Sequence, residues 1–284
     1  MDEEKLKPLS KKEQIDLSII IVHYKTPSLL AQCVKSIKKS KPQLNYEIIV
    51  IDNNSMDETV EMMEDDFPDV NLIANKENIG FPKAVNQGIR KSKGEFILLL
   101  NPDITALENV LEGMIVYLKE HPEIGLLGPK LINPNGSVQK SCFSFYPSVM
   151  TVLYRRTFLG NFNRGHEKIK KFTMADWDHD SGREVAWVLG SAMLVPRKVI
   201  EKVGLMDERF FMYMEDVDWC RRIGSAGLKV YYYPDFKMVH YYARASDTKS
   251  NVFLAFFNRQ TRIHIASAIK FFLKYARSNE TKKS

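Results

Sequence analysis

What the chain lacks narrows its class. Its cysteines, Cys33, Cys142 and Cys220, are odd in number, widely spaced and form no CxxC pair. That excludes a disulfide framework or a zinc knuckle and suits a reducing cytoplasm. The charged N-terminus MDEEKLKPLSKKEQ holds no signal-peptide core, and the longest aliphatic runs, such as Phe96 to Leu100, are far too short to span a bilayer. A glycine-rich phosphate loop is missing too. The turn after the first hydrophobic run reads HYKTPS, so the sequence offers neither a dinucleotide fingerprint nor a P-loop lysine. Net positive charge is missing from the body of the chain. Residues 251–284 carry seven Lys/Arg against Glu280 alone, which accounts for the whole formal excess of +6. A nearly neutral body argues against nucleic acid as a partner, and a local basic tail points to an anionic surface.

What is present is a strand–helix rhythm. Leu17 to Val22, Glu47 to Ile51 and Phe96 to Leu100 are continuous aliphatic runs, the mark of strands buried on both faces of a parallel sheet. Val70 to Ala74 is a shorter one. Thr26-Pro27 opens a helix with apolar residues at Leu30, Cys33, Val34 and Ile37, and Ser55 with Glu58 reads as a capping box for a second. Helices are expected near Ala84 to Lys91, Leu107 to Leu118, Lys198 to Val203 and Asp216 to Ser225, and Lys229 to Tyr233 reads as a strand. Asn133-Pro-Asn-Gly136 marks a tight turn, read as part of a hairpin. The fold class is α/β, a doubly wound, mostly parallel sheet. Ser141 to Arg183 is aromatic, basic and aperiodic and yields no assignment.

In such sheets ligands bind outside the carboxyl ends of the strands. Here those ends carry His23 and Tyr24, Asp52-Asn53-Asn54, and Asn101-Pro102-Asp103. Any one of them fits a plain turn former; three at one edge favour a site. Without a glycine-rich loop, a diphosphate needs another holder, and a divalent cation on a carboxylate is the usual one, with Asp103 the candidate ligand.

The ordered set Asp52-Asn-Asn-Ser, Asn78-Ile-Gly80-Phe81 with Ala84 and Asn86, Asn101-Pro-Asp103, Gly190-Ser-Ala-Met-Leu and Phe211-Met-Tyr-Met-Glu215-Asp216-Val-Asp218-Trp-Cys-Arg-Arg222 resembles the family-2 glycosyltransferases of the GT-A fold, especially their rhamnosyltransferase-like branch. The resemblance runs from about Ile15 to Ala245. It implies an inverting enzyme that moves a sugar from a nucleotide diphosphate donor to a hydroxyl of a glycan or lipid-linked glycan. It assigns donor binding to His23, Asp52, Asn54, Asn78, Gly80, Asn101 and Asp103. It assigns Mn²⁺ or Mg²⁺ to Asp103 and His240, with Asn101 standing where the family's DxD element has its first acid. Asp216 is implied as the general base with Glu215 in support, and Trp187, Gly190 and Asp218 as acceptor-side residues. The implied organisation is a lead-in over 1–14, a catalytic domain over 15–250 (a nucleotide half to 120 and an acceptor half after it) and a basic tail over 251–284.

Bland readings stand beside these. Acids in the first turn of a helix stabilise its dipole by about 0.3–1 kcal/mol without catalysis. Trp187 is core or acceptor lining; His23 and Arg244 meet phosphate or are surface residues. A sugar-nucleotide pyrophosphorylase is the rival enzyme, and a sugar-nucleotide-binding protein without activity the rival outside catalysis. In the tail, Phe253 to Ala276 reads as a helix. Its residues Ile265, Ala268, Ile269, Phe272, Leu273 and Ala276 share one face, opposite Lys270, Lys274 and Arg277. It either docks that apolar face on the domain or lies in an anionic membrane surface.

Overall fold

The computed structural model describes residues 14–156, 162–241 and 258–280. Strands β1 (Leu17–His23), β2 (Tyr46–Asp52), β3 (Asn71–Ala74) and β4 (Phe96–Leu100) pair in parallel in the order β3-β2-β1-β4. The aliphatic runs behave as their pattern requires. Ile19 and Ile21 enter one core while Ile20 enters the other, and Leu98 and Leu100 alternate in the same way with Ile97 and Leu99. Helices α1 (Pro27–Ser40), α2 (Thr59–Asp66) and α4 (Val110–Glu120) cover one face. The other face is covered by α3 (Phe81–Lys91), α7 (Arg197–Val203) and α8 (Glu215–Ser225).

Beyond β4 the sheet becomes mixed. Next to it β10 (Ala192–Pro196) runs antiparallel, followed by β6 (Ile124–Ile132), β11 (Lys229–His240) and the short β5 (Ile104–Ala106). β8 (Arg183–Glu184) also pairs with β11. The sequence reading missed β6 because Gly125, Gly128 and Pro129 break its pattern. Those glycines admit close neighbours: a Cβ on Gly128 would stand 2.9 Å from Val188, and one on Gly125 2.7 Å from Ile223. The turn at Asn133–Gly136 is present, with Gly136 at φ 82°, but the hairpin shrinks to a single bridge between Ile132 and Val138.

The illegible stretch resolves into α5 (Val149–Arg156), α6 (Asn163–Phe172) and a two-stranded sheet of β7 (Cys142–Phe143) with β9 (Trp187–Val188). Phe143 and Phe172 of this stretch are core, and Trp187 stacks on Phe143 with centroids 3.9 Å apart.

Helix α1 starts at Thr26-Pro27 as expected, but neither Thr26 nor Ser55 makes a side-chain cap, because each hydroxyl has another local partner. Ser55 does not cap α2. Its hydroxyl donates to the Asp52 carboxylate, and α2 begins at Thr59, whose N–H donates to Asp57 Oδ1 at 3.1 Å. Thr26 makes no side-chain cap on α1; its hydroxyl faces His23 Nδ1 at 3.3 Å.

The last helix, α9 (Arg259–Glu280), docks on the domain but is rotated about its axis, so that of the expected apolar face Ala268 is buried and Phe272 half-buried. Ser267, Ala268 and Phe271 are buried against the domain, and Lys274 sits among carboxylates, whereas Ile265, Ile269 and Leu273 face solvent. Helix α9 therefore packs on the segment from Asp207 to Asp218. The lead-in over 1–13, Arg244 and the expected helical start at 253–257 lie outside the described residues.

Helix α3 tests the packing. A Cβ on Gly88 would lie 2.6 Å from Ile20 Cγ2 and 3.0 Å from Ile51 Cδ1. Helix propensity alone favours alanine there by about 1 kcal/mol, but overpacking a core costs about 1–3 kcal/mol. Gly88→Ala is expected to lower stability by about 1 kcal/mol in urea unfolding; a gain would show that the β1–α3 contact gives way freely.

Candidate active site

The carboxyl ends of β1, β2 and β4 lie side by side, with His23 in register with Asp52. The Asp52 carboxylate is only 4% exposed and accepts both the hydroxyl and the N–H of Ser55. This clasp closes a turn through half-buried Asn54 at φ 65°. Asn53 organises the loop after β3. Its amide donates to Asn78 Oδ1 at 3.0 Å and accepts from Asn75 Nδ2 at 3.2 Å and the Ile79 N–H at 3.1 Å. Asn78 Oδ1 also receives the Gly80 N–H at 3.1 Å. At the far end of this loop Phe81 donates its N–H to the Phe211 carbonyl at 2.8 Å. Gly80 has to be glycine: its φ is 88° and any Cβ would stand 2.6 Å from that carbonyl. The loop 75–80 is thereby pinned between the end of β2 and the segment that leads into α8.

Asp103 follows β4 and keeps 21% of its side chain exposed. Its Oδ1 lies 3.2 Å from His240 Nε2 at the end of β11, and that buried oxygen makes no hydrogen bond among the described residues. The tautomer of His240 is set by its neighbour. Gln139 Nε2 faces two acceptors, the His240 carbonyl at 2.9 Å and Asn133 Oδ1 at 2.7 Å, so its Oε1 is the atom 2.7 Å from His240 Nδ1. Nδ1 then carries a proton, and Nε2 is the ring atom turned toward the Asp103 carboxylate. A carboxylate oxygen and an imidazole nitrogen at this spacing are a ligand pair that a cation could share. Ligands about 2.1 Å from one ion at right angles are about 3.0 Å apart, close to the observed spacing. No third His, Cys, Asp or Glu joins them among the described residues. A cation here would draw its remaining ligands from diphosphate and water, as Mg²⁺ commonly does.

The acid cluster sits at the first turn of α8. Asp216 is half-buried and accepts the Val217 N–H at 2.8 Å and the Gly190 N–H at 3.1 Å. The next residue, Ser191, accepts the Asn101 N–H at 2.8 Å. Adjacent residues thus tie Asp216 to the strand end that carries Asp103, so both acids belong to one edge. Burial raises the pKa of Asp216, and its two N–H donors pull it back. Glu215 is pushed well above the carboxylate range, first by burial and then by the charge of Asp216. Asp216 has two N–H donors, whereas the buried Glu215 Oε2 has no hydrogen-bond partner among the described residues, so a negative charge is better served on Asp216.

The backbone just before this pair is strained. Tyr213 and Met214 are consecutive non-glycine residues at φ 72° and 70°, each costing on the order of 1–2 kcal/mol. Helix α9 holds them there. Ser267 donates to the Met212 carbonyl at 2.8 Å, His264 stacks on Tyr213, and Lys270 donates to the Arg209 carbonyl at 2.7 Å. Lys274 bridges Asp207 and Asp218, and Tyr275 donates to Asp218 at 2.8 Å.

These contacts correct three of the expected roles. Asp218 is fully buried and clamped by Arg222, Lys274 and Tyr275, so it anchors α9 and presents nothing to an acceptor. Trp187 is 5% exposed and spends its one donor on the Phe145 carbonyl, which makes it core. His23 is sealed, with its ring nitrogens against Thr59 and Thr26, and burial lowers its pKa; it shapes the edge from beneath and has no route to a phosphate. Gly190 differs from these, being half-buried and in direct contact with Asp216. Sequence reasoning overlooked Gln139, Asn53 as a hub, and the Lys274 clamp. The asparagine-rich turn after β2 carried a signal for Asn53 alone.

A sheet with acids and a candidate cation cradle at its carboxyl edge defines the GT-A-like class of nucleotide-sugar enzymes. The family model for glycosyl transferase family 2 matches residues 18–172, and the chain belongs to that family; it is a glycosyltransferase. This removes the pyrophosphorylase alternative. Similar proteins include the N-acetylglucosaminyl-diphospho-decaprenol L-rhamnosyltransferase of Mycobacterium tuberculosis. It is 29% identical over 266 residues, with 88% of this chain and 84% of the relative covered. The rhamnosyltransferase WbbL of Escherichia coli K12 is 29% identical, with 66% and 65% covered. Among solved structures, GalNAc-T7 with UDP, GalNAc and Mn²⁺ superposes with a TM-score of 0.62 at 18% identity. It covers 86% of this chain, which spans about half (47%) of that one. The mannosyltransferase PcManGT of Pyrobaculum calidifontis, solved with GDP-Man and Mn²⁺, gives 0.56 at 17% identity, with 82% and 59% covered.

If Asp103 and His240 share a cation, the group that fixes the imidazole matters almost as much as the ligand. Loss of such an outer partner typically weakens metal binding about 10–100-fold. Mn²⁺ titrations followed by electron paramagnetic resonance are expected to show that loss for Gln139→Leu and no resolvable binding for Asp103→Asn. Equal affinity in these two variants and the parent protein would remove the cation from this site.

Proposed function

We propose that this enzyme transfers rhamnose from a thymidine or uridine diphosphate donor to a hydroxyl of a lipid-linked glycan, with inversion at the anomeric carbon, at the inner face of the cytoplasmic membrane. One observation carries the reading. The backbone link from Asp216 through Gly190 and Ser191 to Asn101 holds an anionic carboxylate at the same edge as the Asp103–His240 cradle. The rhamnosyl donor is favoured by the names of the relatives, and a lipid-linked acceptor by the decaprenol in one of them.

In this reading the pinned loop 75–80 and the Asp52 turn form the floor on which the nucleotide lies, with Asn54 and Gly80 at its lip. Asp103 and His240 would hold Mn²⁺ or Mg²⁺, which supplies positive charge beside the departing diphosphate. The acceptor oxygen attacks the anomeric carbon and forms the new glycosidic bond. The bond from that carbon to the phosphate oxygen breaks on the opposite side, and the nucleoside diphosphate leaves with its electron pair. The acceptor proton passes to Asp216, whose charged form is favoured by the N–H groups of Val217 and Gly190.

Asp216→Asn is expected to lower kcat by about 10²–10⁴-fold while leaving donor binding intact, since the carboxylate is needed only as a base. Because the base works as an anion and its pKa is raised, activity should climb with pH along a limb lying above the ordinary carboxylate value of about 4. A panel of nucleotide sugars assayed for Mn²⁺-dependent release of nucleoside diphosphate tests the assignment. Thymidine or uridine diphosphate rhamnose should be the best donor. A hexose donor preferred over both rhamnosyl donors would overturn the choice of sugar, and silence across the panel would overturn the reaction.

A further inference from the structure

Helix α9 is amphipathic in an unexpected sense. The face against the domain carries Ser267, Phe271, Lys274 and Tyr275, while Ile265, Ile269 and Leu273, spaced one turn apart, form a ridge on the opposite side. Adjacent residues show the inversion most clearly. The Lys274 side chain is 20% exposed and bound to two carboxylates, whereas Leu273 is 56% exposed; Ile269 is 53% exposed and Ile265 38%. A helix that only closed the fold would place its leucine and isoleucines inward and its lysine in water. Among the described residues nothing covers the ridge.

The charge around the ridge selects its partner. Arg262 continues the stripe one turn before Ile265 and Arg259 borders it, both exposed, within a tail of seven basic residues and one acid. An apolar ridge flanked by cations matches an interfacial helix, whose aliphatic side chains enter the acyl boundary while arginines meet anionic headgroups. A second copy of the chain on the same face would bring two cationic stretches together, which disfavours a dimer.

We propose that α9 seats the enzyme on an anionic lipid bilayer through Ile265, Ile269 and Leu273, with Arg259 and Arg262 at the headgroups. The inner face of this helix grips the segment from Asp207 to Asp218 that carries Asp216. Docking would therefore bring that segment to about one helix diameter, roughly 10 Å, from the membrane surface. Bilayer binding is read without turnover, so its failure and a failure of the transferase reading are distinguishable.

The test uses the full chain with phosphatidylcholine vesicles, with and without phosphatidylglycerol. Co-sedimentation is expected only with the anionic vesicles and should weaken as salt is raised. Ile269→Glu combined with Leu273→Glu should reduce it at least about tenfold with an unchanged melting temperature, since these side chains are exposed. For a second readout Leu273→Cys takes an environment-sensitive dye, because Cys33, Cys142 and Cys220 are all buried. A blue shift on adding anionic vesicles supports the proposal. A dye already blue-shifted in buffer, with no vesicle binding, overturns it: dependence on protein concentration would assign the ridge to a second copy, and independence to another part of this chain.

Discussion

The Asn101 N–H donates to the Ser191 carbonyl, and the neighbouring Gly190 N–H donates to the Asp216 carboxylate. Through these adjacent residues the antiparallel strand β10, inserted beside β4, joins the halves of the molecule. In the proposed reading the parallel half supplies the floor for a nucleotide and the acid Asp103, and the mixed half supplies Asp216. A transfer reaction needs both groups at one place. Neither half alone contains the site.

Holding Asp216 there is costly, and the rest of the structure shows how the cost is offset. Consecutive left-handed residues precede it, and its neighbour Glu215 is buried, which raises its pKa. Opposing this strain is a set of charge-assisted bonds around buried Asp218, where Arg222, Lys274 and Tyr275 converge. Such clusters are strongly destabilising when broken, because a charge is left buried without a partner. The C-terminal helix thus braces the segment that carries the proposed base. Its orientation is dictated by the carboxylates that Lys274 must reach, and that same choice leaves the aliphatic ridge facing outward.

The two acids implied by the resemblance illustrate what a linear motif can and cannot carry. Asp216 and Asp218 sit in the same short motif at the start of α8. Helical geometry separates them: Asp216 points to Gly190 and the open edge, whereas Asp218, two positions on, turns inward to Lys274. His23 and Trp187 stand out by position and by type, yet each is enclosed by neighbours that arrive from distant parts of the chain, Thr59 in one case and Phe143 and Phe145 in the other. Gln139 could not have been found by its own surroundings. Its role rests on a hydrogen bond to a residue 101 positions away.

The parallel half was legible from the residues alone, because alternating burial of aliphatic runs is a local property that each strand expresses by itself. The polar strand ends and the acid-rich helix start were equally plain. Which of those polar groups work and which merely hold was left to three-dimensional packing, since that depends on the partners each one meets. Packing also set the orientation of α9. A periodic pattern reveals that a helix has two faces, but the buried face is chosen by what waits on the domain, and here that is carboxylate.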